Sequence, residues 1–153
     1  MTKIVLLDAG PLGAITHPRA NSNRDIKEWL QRLLRGGCRI IVPEIADYEL
    51  RRELIRAGKT KSVGRLNELK RLGNFAPLNT DVMLRAAQLW AHARQTGQAT
   101  ADDKALDADV ILAAQANFVG DPNDYVVIAT MNVGHLSRFT LAERWHDINP
   151  DDC

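Results

Sequence analysis

Short apolar runs alternate with longer amphipathic stretches along the chain. Residues 4–7 are entirely apolar and include two β-branched side chains, which predicts a strand buried on both faces of a parallel sheet. Residues 24–35 carry apolar side chains at helical spacing, and the pair of glycines that follows ends the predicted helix. Residues 39–42 and 125–129 repeat the short β-branched pattern. This alternation predicts an α/β fold with a central, mostly parallel sheet and helices on both faces.

The remaining elements follow from the same periodicities and from the turn residues between them. Helices are predicted over residues 11–15, 43–57, 60–72, 80–96 and 101–118, and strands over residues 75–78 and 145–148. The last of these strands is placed at an edge of the sheet. Since no repeat, low-complexity segment or linker interrupts the 153 residues, we expect a single domain over residues 1–153.

The charge of the chain is nearly balanced overall but uneven along its length. A formal net charge of +1 excludes a strongly basic nucleic-acid-binding protein. Residues 51–71, however, contain eight Lys or Arg and only two Glu. A basic segment beside an acidic cluster suits a metal-dependent enzyme that acts on a phosphate polymer. A solvated helix face is the alternative, and charge bias alone favours that alternative.

The cysteines and the apolar runs bear on the compartment. Cys38 and Cys153 are far apart in the sequence and predict neither a disulfide framework nor a zinc site. No apolar run reaches the roughly 18 residues of a membrane-spanning helix, and residues 1–20 lack the features of a signal peptide. We therefore expect a reducing, cytoplasmic setting without membrane attachment.

Asp8 directly follows the first predicted strand and precedes the turn residues Gly10 and Pro11. In open α/β sheets, ligands bind just beyond the carboxyl ends of the strands, so Asp8 is a candidate functional residue. Asp is also a favoured N-cap, and capping of the next helix is an equally good explanation.

A second acid lies on the predicted helix 43–57. Glu49 falls just beside its apolar stripe, where a carboxylate points along the boundary between core and solvent. Glu53 lies even closer to the stripe and competes for the same role. An edge glutamate paired with a neighbouring arginine is the alternative, which spacing alone favours.

Four aspartates fall within residues 102–109, directly before an apolar helical segment. Helix capping explains one or two of them, and Asp107 is a good N-cap candidate. Asp109 leads straight into the apolar segment, where a carboxylate needs a partner such as a metal ion. Thr130 and Asn132 follow the strand 125–129 and add hydroxyl and amide oxygens. Together these groups suit Mg²⁺ or Mn²⁺.

Four segments in this order resemble the PIN-domain family of metal-dependent nucleases: LLDAGPLG, ADYELRREL, DADVILAAQA and ATMNVGHL. The resemblance covers most of the chain. It implies Asp8, Glu49 and Asp109 as metal ligands and catalytic residues, with Asp107 as the second choice for the third. It also implies a catalytic role for Asn132. Many members of the family carry a further Asp three residues after this Asn, where this chain has His135.

At this length the chain resembles the VapC-type toxins of that family. The resemblance implies a three-layer α/β/α sandwich, Mg²⁺ or Mn²⁺ as cofactor, cleavage of single-stranded or looped RNA, a homodimer and a small antitoxin partner. Predicted RNA contacts are Thr130, Arg52, Lys59 and Lys61. The alternative is a catalytically inactive PIN-like module that binds RNA or protein, which His135 slightly favours. A phosphatase of the haloacid-dehalogenase type is excluded because Gly10 stands where its second Asp is required.

Overall fold

A computed structural model describes residues 2–97 and 103–153. Within these residues, five strands form one sheet in the order β3-β2-β1-β4-β5. The strands are β1 (Lys3–Leu7), β2 (Arg39–Pro43), β3 (Asn74–Ala76), β4 (Tyr125–Thr130) and β5 (Ala142–Arg144). Every neighbouring pair is parallel, so all five carboxyl ends lie along one edge of the sheet. The expected parallel sheet is confirmed.

Helices cover both faces of this sheet and make three layers. They are α1 (Ala9–Ile15), α2 (Arg24–Arg35), α3 (Glu44–Arg56), α4 (Thr60–Leu72), α5 (Thr80–Gln95), α6 (Asp103–Asn117) and α7 (Val133–Leu136). Alternate residues of β1 explain the layers, because Val5 and Leu7 pack against α1 and α2 while Ile4 and Leu6 pack against α6 and α7. In the described segments, no helix is long and apolar enough to cross a membrane.

The expected strand over residues 145–148 is wrong, and the expected strand over residues 75–78 lies one or two residues too late. The final edge strand is β5, which ends at Arg144, and Trp145–Asp147 is a 3₁₀ turn. The apolar side chains that suggested a strand pack on α2 instead. Trp145 meets the ring of Trp29 edge-on at 5.6 Å, and the Trp29 indole N–H donates to the carbonyl of Ile148 at 2.9 Å.

The two cysteines form a disulfide, which corrects the expectation that they predict no disulfide framework. Cys38 immediately precedes β2, at the opposite edge of the sheet from the strand carboxyl ends. The C-terminal 3₁₀ turn Pro150–Asp152 folds back onto the end of α2, where Asp151 pairs with Arg32 at 3.0 Å. This return brings Cys153 to Cys38 across a sequence separation of 115, with 5.1 Å between their Cα atoms. The cysteines therefore no longer support the prediction of a reducing compartment.

Candidate functional site

Asp8 lies at the carboxyl edge of the sheet, between β1 and β4. Its backbone N–H donates to the carbonyl of Ala129 at 3.0 Å, which continues the pairing of the two strands by one residue. Its side chain caps α1, because Oδ1 accepts from the backbone N–H of Ala9 at 2.8 Å. The other oxygen, Oδ2, accepts from the hydroxyl of Thr130 at 2.7 Å. Asp8 therefore caps a helix and also faces the edge where ligands bind, so the two explanations are compatible.

Thr130 is fully buried and holds the site together from behind. Its hydroxyl donates to Asp8 and accepts from the backbone N–H of Asn132 at 2.8 Å. Because the hydroxyl is buried and already engaged, Thr130 orients Asp8 and the turn after β4. The predicted contact of Thr130 with a substrate stays a prediction. Asn132, by contrast, is exposed at the start of α7, and its side chain makes no capping bond to that helix within the described residues.

Glu49 projects from α3, which packs against both α1 and α6. The close approach of α1 depends on Gly13, because a Cβ there would lie 3.2 Å from Leu50 Cδ1. Partial burial raises the pKa of Glu49, the negative charge of Asp8 raises it further, Arg52 opposes the shift and Asp109 adds to it. The three carboxylates thus act on one another across the same site.

The competing Glu53 lies outside this site. It is exposed, and its carboxylate accepts from Arg56 at 2.7 Å on the same helix. The alternative of an edge glutamate paired with arginine therefore describes Glu53 and not Glu49. The structure separates two residues that the apolar spacing could not.

Asp109 lies on α6 with only 14% of its side chain exposed. Burial raises its pKa, the neighbouring His135 opposes the shift, Asp8 adds to it and Arg138 opposes it. Asp107 is exposed, as expected for a residue about 200° around the helix. Its predicted capping role is wrong, because α6 already begins at Asp103. The predicted start of this helix at residues 101 and 102 lies outside the described residues.

His135, on α7, is a neighbour of Asp109 that sequence reasoning noted only as a departure from a motif. Its Nδ1 lies 3.7 Å from Asp109 Oδ2. Neither atom reaches solvent, and neither has a hydrogen-bond partner in the part of the chain that is described. In the sequence, His135 follows Asn132 by three residues. This spacing places both residues on the same side of the turn after β4, and it is the one feature of the sequence that indicates the contact.

The basic segment 51–71 divides into engaged and exposed cations. Arg51 makes two bonds to the buried Asp47, at 2.8 and 3.1 Å, and Lys70 lies 3.9 Å from the same carboxylate. Arg52 is exposed and stacks on Tyr48 at 5.1 Å. An open groove of about 870 Å³ lies between this segment and the loop after α1. The segment contributes Lys59, Lys61 and Arg65 to its lining, and the loop contributes His17 and Arg19. The predicted RNA contacts Arg52, Lys59 and Lys61 are therefore accessible.

The donor set fits a hard divalent cation in chemistry and in charge. Asp8, Glu49, Asp109 and Asn132 offer carboxylate and amide oxygens, which Mg²⁺ and Mn²⁺ prefer. The unpartnered Oδ2 of Asp109 and the mutual repulsion of the acids are both relieved by a cation. Across residues 2–97 and 103–153, no three Asp, Glu, His or Cys side chains stand close enough together to hold an ion between them.

Two solved bacterial complexes contain a chain of similar architecture. One is VapBC2 from Rickettsia felis bound to a DNA fragment from their promoter, with a TM-score of 0.68 and 15% identity over 93% of this chain and 98% of that chain. The other is VapBC-1 from nontypeable Haemophilus influenzae, with a TM-score of 0.62 and 17% identity over 94% and 98%. The chain shares their fold. The PIN-like α/β/α sandwich expected from the sequence motifs is thereby confirmed, and at these identities the likeness concerns the fold alone.

No protein-family model matches the sequence, and no curated protein matches it.

Proposed function

We propose that the protein is a metal-dependent endoribonuclease that hydrolyses phosphodiester bonds, and that it is the toxin of a toxin–antitoxin pair. The observation that supports the proposal is that three acids from different elements act on one another electrostatically: Asp8, after β1, acts on Glu49 of α3 and on Asp109 of α6, and Asp109 acts on Glu49. Burial raises the pKa of Glu49 and of Asp109, and the negative charge of Asp8 adds to both shifts. A site that concentrates negative charge in this way is suited to a divalent cation.

Asp8, Glu49 and Asp109 would hold Mg²⁺ or Mn²⁺, which supplies an activated water and neutralises charge on the scissile phosphate. The chain's own residues provide the geometry. Thr130 and the N-terminus of α1 fix the two oxygens of Asp8. The exposed amide of Asn132 is placed to hold a water or a phosphate oxygen by hydrogen bonding.

RNA is the proposed substrate because Arg52 acts on Glu49 and further exposed cations line the groove beside the loop after α1. Arg52, Lys59 and Lys61 would contact backbone phosphates, which gives affinity without reading sequence. Single-stranded or looped RNA is favoured, since the bases of an A-form duplex are hard to reach. A cytoplasmic location, where such RNA is abundant, belongs to the same proposal.

The partner proposals rest on the fold and on exposed apolar side chains. The two solved structures compared above are VapBC complexes, which supports a small antitoxin as partner. On α5, Met83 and Leu84 are 44% and 61% exposed and lie beside Leu78, a patch suited to an interface between two copies. The homodimer is proposed through this patch.

Metal-dependent cleavage of labelled RNA tests the function. Purified protein incubated with single-stranded RNA should cleave it with Mg²⁺ or Mn²⁺ and not with EDTA. Asp8→Asn should abolish cleavage, while Asp107→Asn, a change of the same kind at an exposed position, should retain it. Cleavage that continues in EDTA, or in Asp8→Asn, would contradict the proposal.

One observation favours the second candidate, an inactive PIN-like module that binds RNA or protein. His135 places a basic side chain 3.7 Å from Asp109, where it could balance that charge without a metal. The same assay decides between the two functions. RNA binding without cleavage under any divalent cation would support the inactive module.

A further inference from the structure

Two open hollows lie between α4 and the segment that joins α1 to α2. The groove of about 870 Å³ described above and a neighbouring hollow of about 430 Å³ share His17, Pro18 and Arg65 in their linings. The second hollow continues along the start of α2, where Arg24 and Lys27 line it. Because they share a wall, the two hollows form one continuous surface, which we call the basic track.

The basic track carries an excess of positive charge. Its cations are Arg19, Arg24, Lys27, Lys59, Lys61 and Arg65. Its acids are Glu28 and Glu68. Across residues 2–97 and 103–153, no ion pair joins any of these cations to an acid, whereas Arg51 and Arg56 of α3 are both paired on their own helix. Cations that the fold leaves unneutralised along a groove attract an anionic ligand.

The loop that forms one wall of the basic track is held in place by the protein itself. Nζ of Lys27 donates to the carbonyls of His17 at 2.9 Å and of Arg19 at 2.7 Å. The backbone N–H of Arg19 donates to Nδ1 of His17 at 3.2 Å. These bonds tie the loop to α2, and the side chain of Arg19 stays exposed. The wall is therefore formed before a ligand arrives, which lowers the cost of binding.

A glycine in the middle of α4 has no packing explanation. Gly64 is exposed and lines the groove between Lys61 and Arg65. A Cβ at this position would meet no atom of the described residues within 4 Å, although only proline is less favourable than glycine inside a helix. Glycine is used where another molecule approaches the backbone closely. A longer side chain would project into the groove, so Gly64 favours close approach of a ligand to α4.

The basic track begins beside the acidic site. Helices α1 and α3 both start at the carboxyl edge of the sheet and pack on the same face. Gly13 lies five residues beyond Asp8, and Leu54 lies five residues beyond Glu49, an axial rise of about 7–8 Å in each case. Gly13 and Leu54 both line the groove. A strand that crosses the acids therefore enters the basic track directly.

We propose that the basic track binds the phosphate backbone of one RNA strand beside the acidic site, with Arg65 on one wall and Arg19 on the other. The inference deepens the proposed function and rests on it, because it takes RNA as the ligand. It separates binding from cleavage, since the strand is held by cations and not by the metal. Among the described residues, the lining holds no Phe, Tyr or Trp on which a base could stack. Binding should therefore depend little on sequence.

Fluorescence anisotropy of labelled oligouridine in EDTA tests the track without the metal. In the double variant Arg19→Gln with Arg65→Gln, the slope of log affinity against log salt should decrease by about 0.7 for each of the two lost phosphate contacts. The control is Arg32→Gln with Arg35→Gln, which removes the same charge from exposed positions at the C-terminal end of α2. The control should keep the wild-type slope. Equal slopes in the two double variants would overturn the proposal.

Gly64→Gln tests the close approach of the strand to α4. Glutamine is a good helix former and adds no charge, so the melting temperature should rise by about 2–4 °C. The added side chain lies in the path of the strand, so the dissociation constant for oligouridine should increase in the same protein. This combination of a more stable fold and weaker binding is not expected from a helix face without a ligand. A more stable variant with unchanged affinity would overturn the proposal.

An acidic protein segment is the competing occupant, and polyglutamate tests it as an unlabelled competitor. Unlabelled RNA should displace the labelled strand at a much lower concentration of charge than polyglutamate does. Equal displacement by the two polymers would mean that the track selects negative charge alone, and would overturn its assignment to RNA.

The failure of this inference is distinguishable from failure of the proposed function. If the wild type cleaves RNA with Mn²⁺ but the Arg19 and Arg65 double variant keeps the wild-type salt slope, the basic track is not the path of the strand and the nuclease stands. If the double variant loses affinity but no divalent cation supports cleavage by the wild type, the basic track stands and the nuclease falls.

Discussion

The hydroxyl of Thr130 donates to Oδ2 of Asp8 at 2.7 Å and so connects the carboxyl ends of β4 and β1. The hydroxyl oxygen of Thr130 also accepts from the backbone N–H of Asn132, which fixes the turn into α7. The buried side chain of Thr130 thus fixes the positions of Asp8 and Asn132, which both reach solvent. The carboxylate faces the site with one orientation because both of its oxygens are held.

Thr130→Val tests this arrangement because valine has nearly the same shape and no hydroxyl. The variant leaves the N–H of Asn132 and an oxygen of Asp8 without their partner, so we expect the free energy of unfolding to fall by about 1–3 kcal/mol. RNA cleavage should fall as well, since Asp8 is no longer held. Thr130→Ser, which keeps the hydroxyl, should lie close to the wild type in both chemical denaturation and cleavage. Equal stability of the two variants would show that the hydrogen bonds have no net effect.

Asp109 and Asp107 should respond differently to the same substitution. Asp109→Asn should eliminate cleavage, and in EDTA its melting temperature should match or exceed that of the wild type, because a partly buried charge near Asp8 is removed. Asp107→Asn should stay within about 0.5 kcal/mol of wild-type stability, as is usual for exposed positions. It should also keep its activity. An inactive Asp107→Asn with an active Asp109→Asn would mean that the wrong face of α6 has been assigned to the site.

The stability of the metal-free protein should depend on the protonation of Glu49. Its pKa in the folded state is raised above the ordinary value of 4.5, so the folded state binds the proton more tightly than the unfolded state. The favourable contribution is therefore complete below pH 4.5 and is lost as the pH rises through the folded-state pKa.

Urea denaturation in EDTA at a series of pH values measures this effect. The free energy of unfolding of the wild type should fall relative to that of Glu49→Gln as the pH rises through this range, because glutamine does not titrate. Mn²⁺ should restore the wild type at neutral pH. A difference between the two proteins that does not change with pH would contradict the raised pKa.

Removal of the exposed cations should weaken RNA binding and its salt dependence. In the combined variant with Arg52, Lys59 and Lys61 changed to Gln, the slope of log affinity against log salt should decrease by about 0.7 for each lost phosphate contact with single-stranded RNA. Arg35→Gln is the control, since Arg35 is exposed at the C-terminal end of α2, where its side chain donates to Gln31. Fluorescence anisotropy over a salt titration measures both. An unchanged slope would mean that these residues form a solvated helix face and do not contact RNA phosphates.

The sequence predicted the sheet because short, continuous apolar runs such as those of β1 and β4 are typical of strands that are buried on both faces. It misplaced the last strand because Trp145 and Ile148 are apolar for a different reason, the covering of α2. Their spacing of three residues suits a 3₁₀ turn as well as a strand, and only the position of Trp29 decides between them.

Site residues that directly follow a strand could be predicted from the sequence. Site residues that lie on a helix were harder to predict, because the sequence does not show which side of the helix is covered. Asp8 was found because β1 ends directly before it. Glu49 and Glu53 could not be separated, since the stripe of α3 leaves both near its boundary and only α1 and α6 show which side is covered. The pairing of Cys38 with Cys153 depends on the return of the C-terminus to α2, which no local pattern encodes.

The most direct measurement of the central claim is the rate of Mn²⁺-dependent cleavage of one labelled RNA by Glu49→Gln and by Glu53→Gln. Both changes remove one negative charge from α3, one within the site and one outside it. We expect Glu49→Gln to lose at least roughly a hundredfold in rate, as for a residue of a metal site, while Glu53→Gln retains the wild-type rate. Equal rates for the two variants would contradict the assignment of Asp8, Glu49 and Asp109 to a single metal-dependent centre.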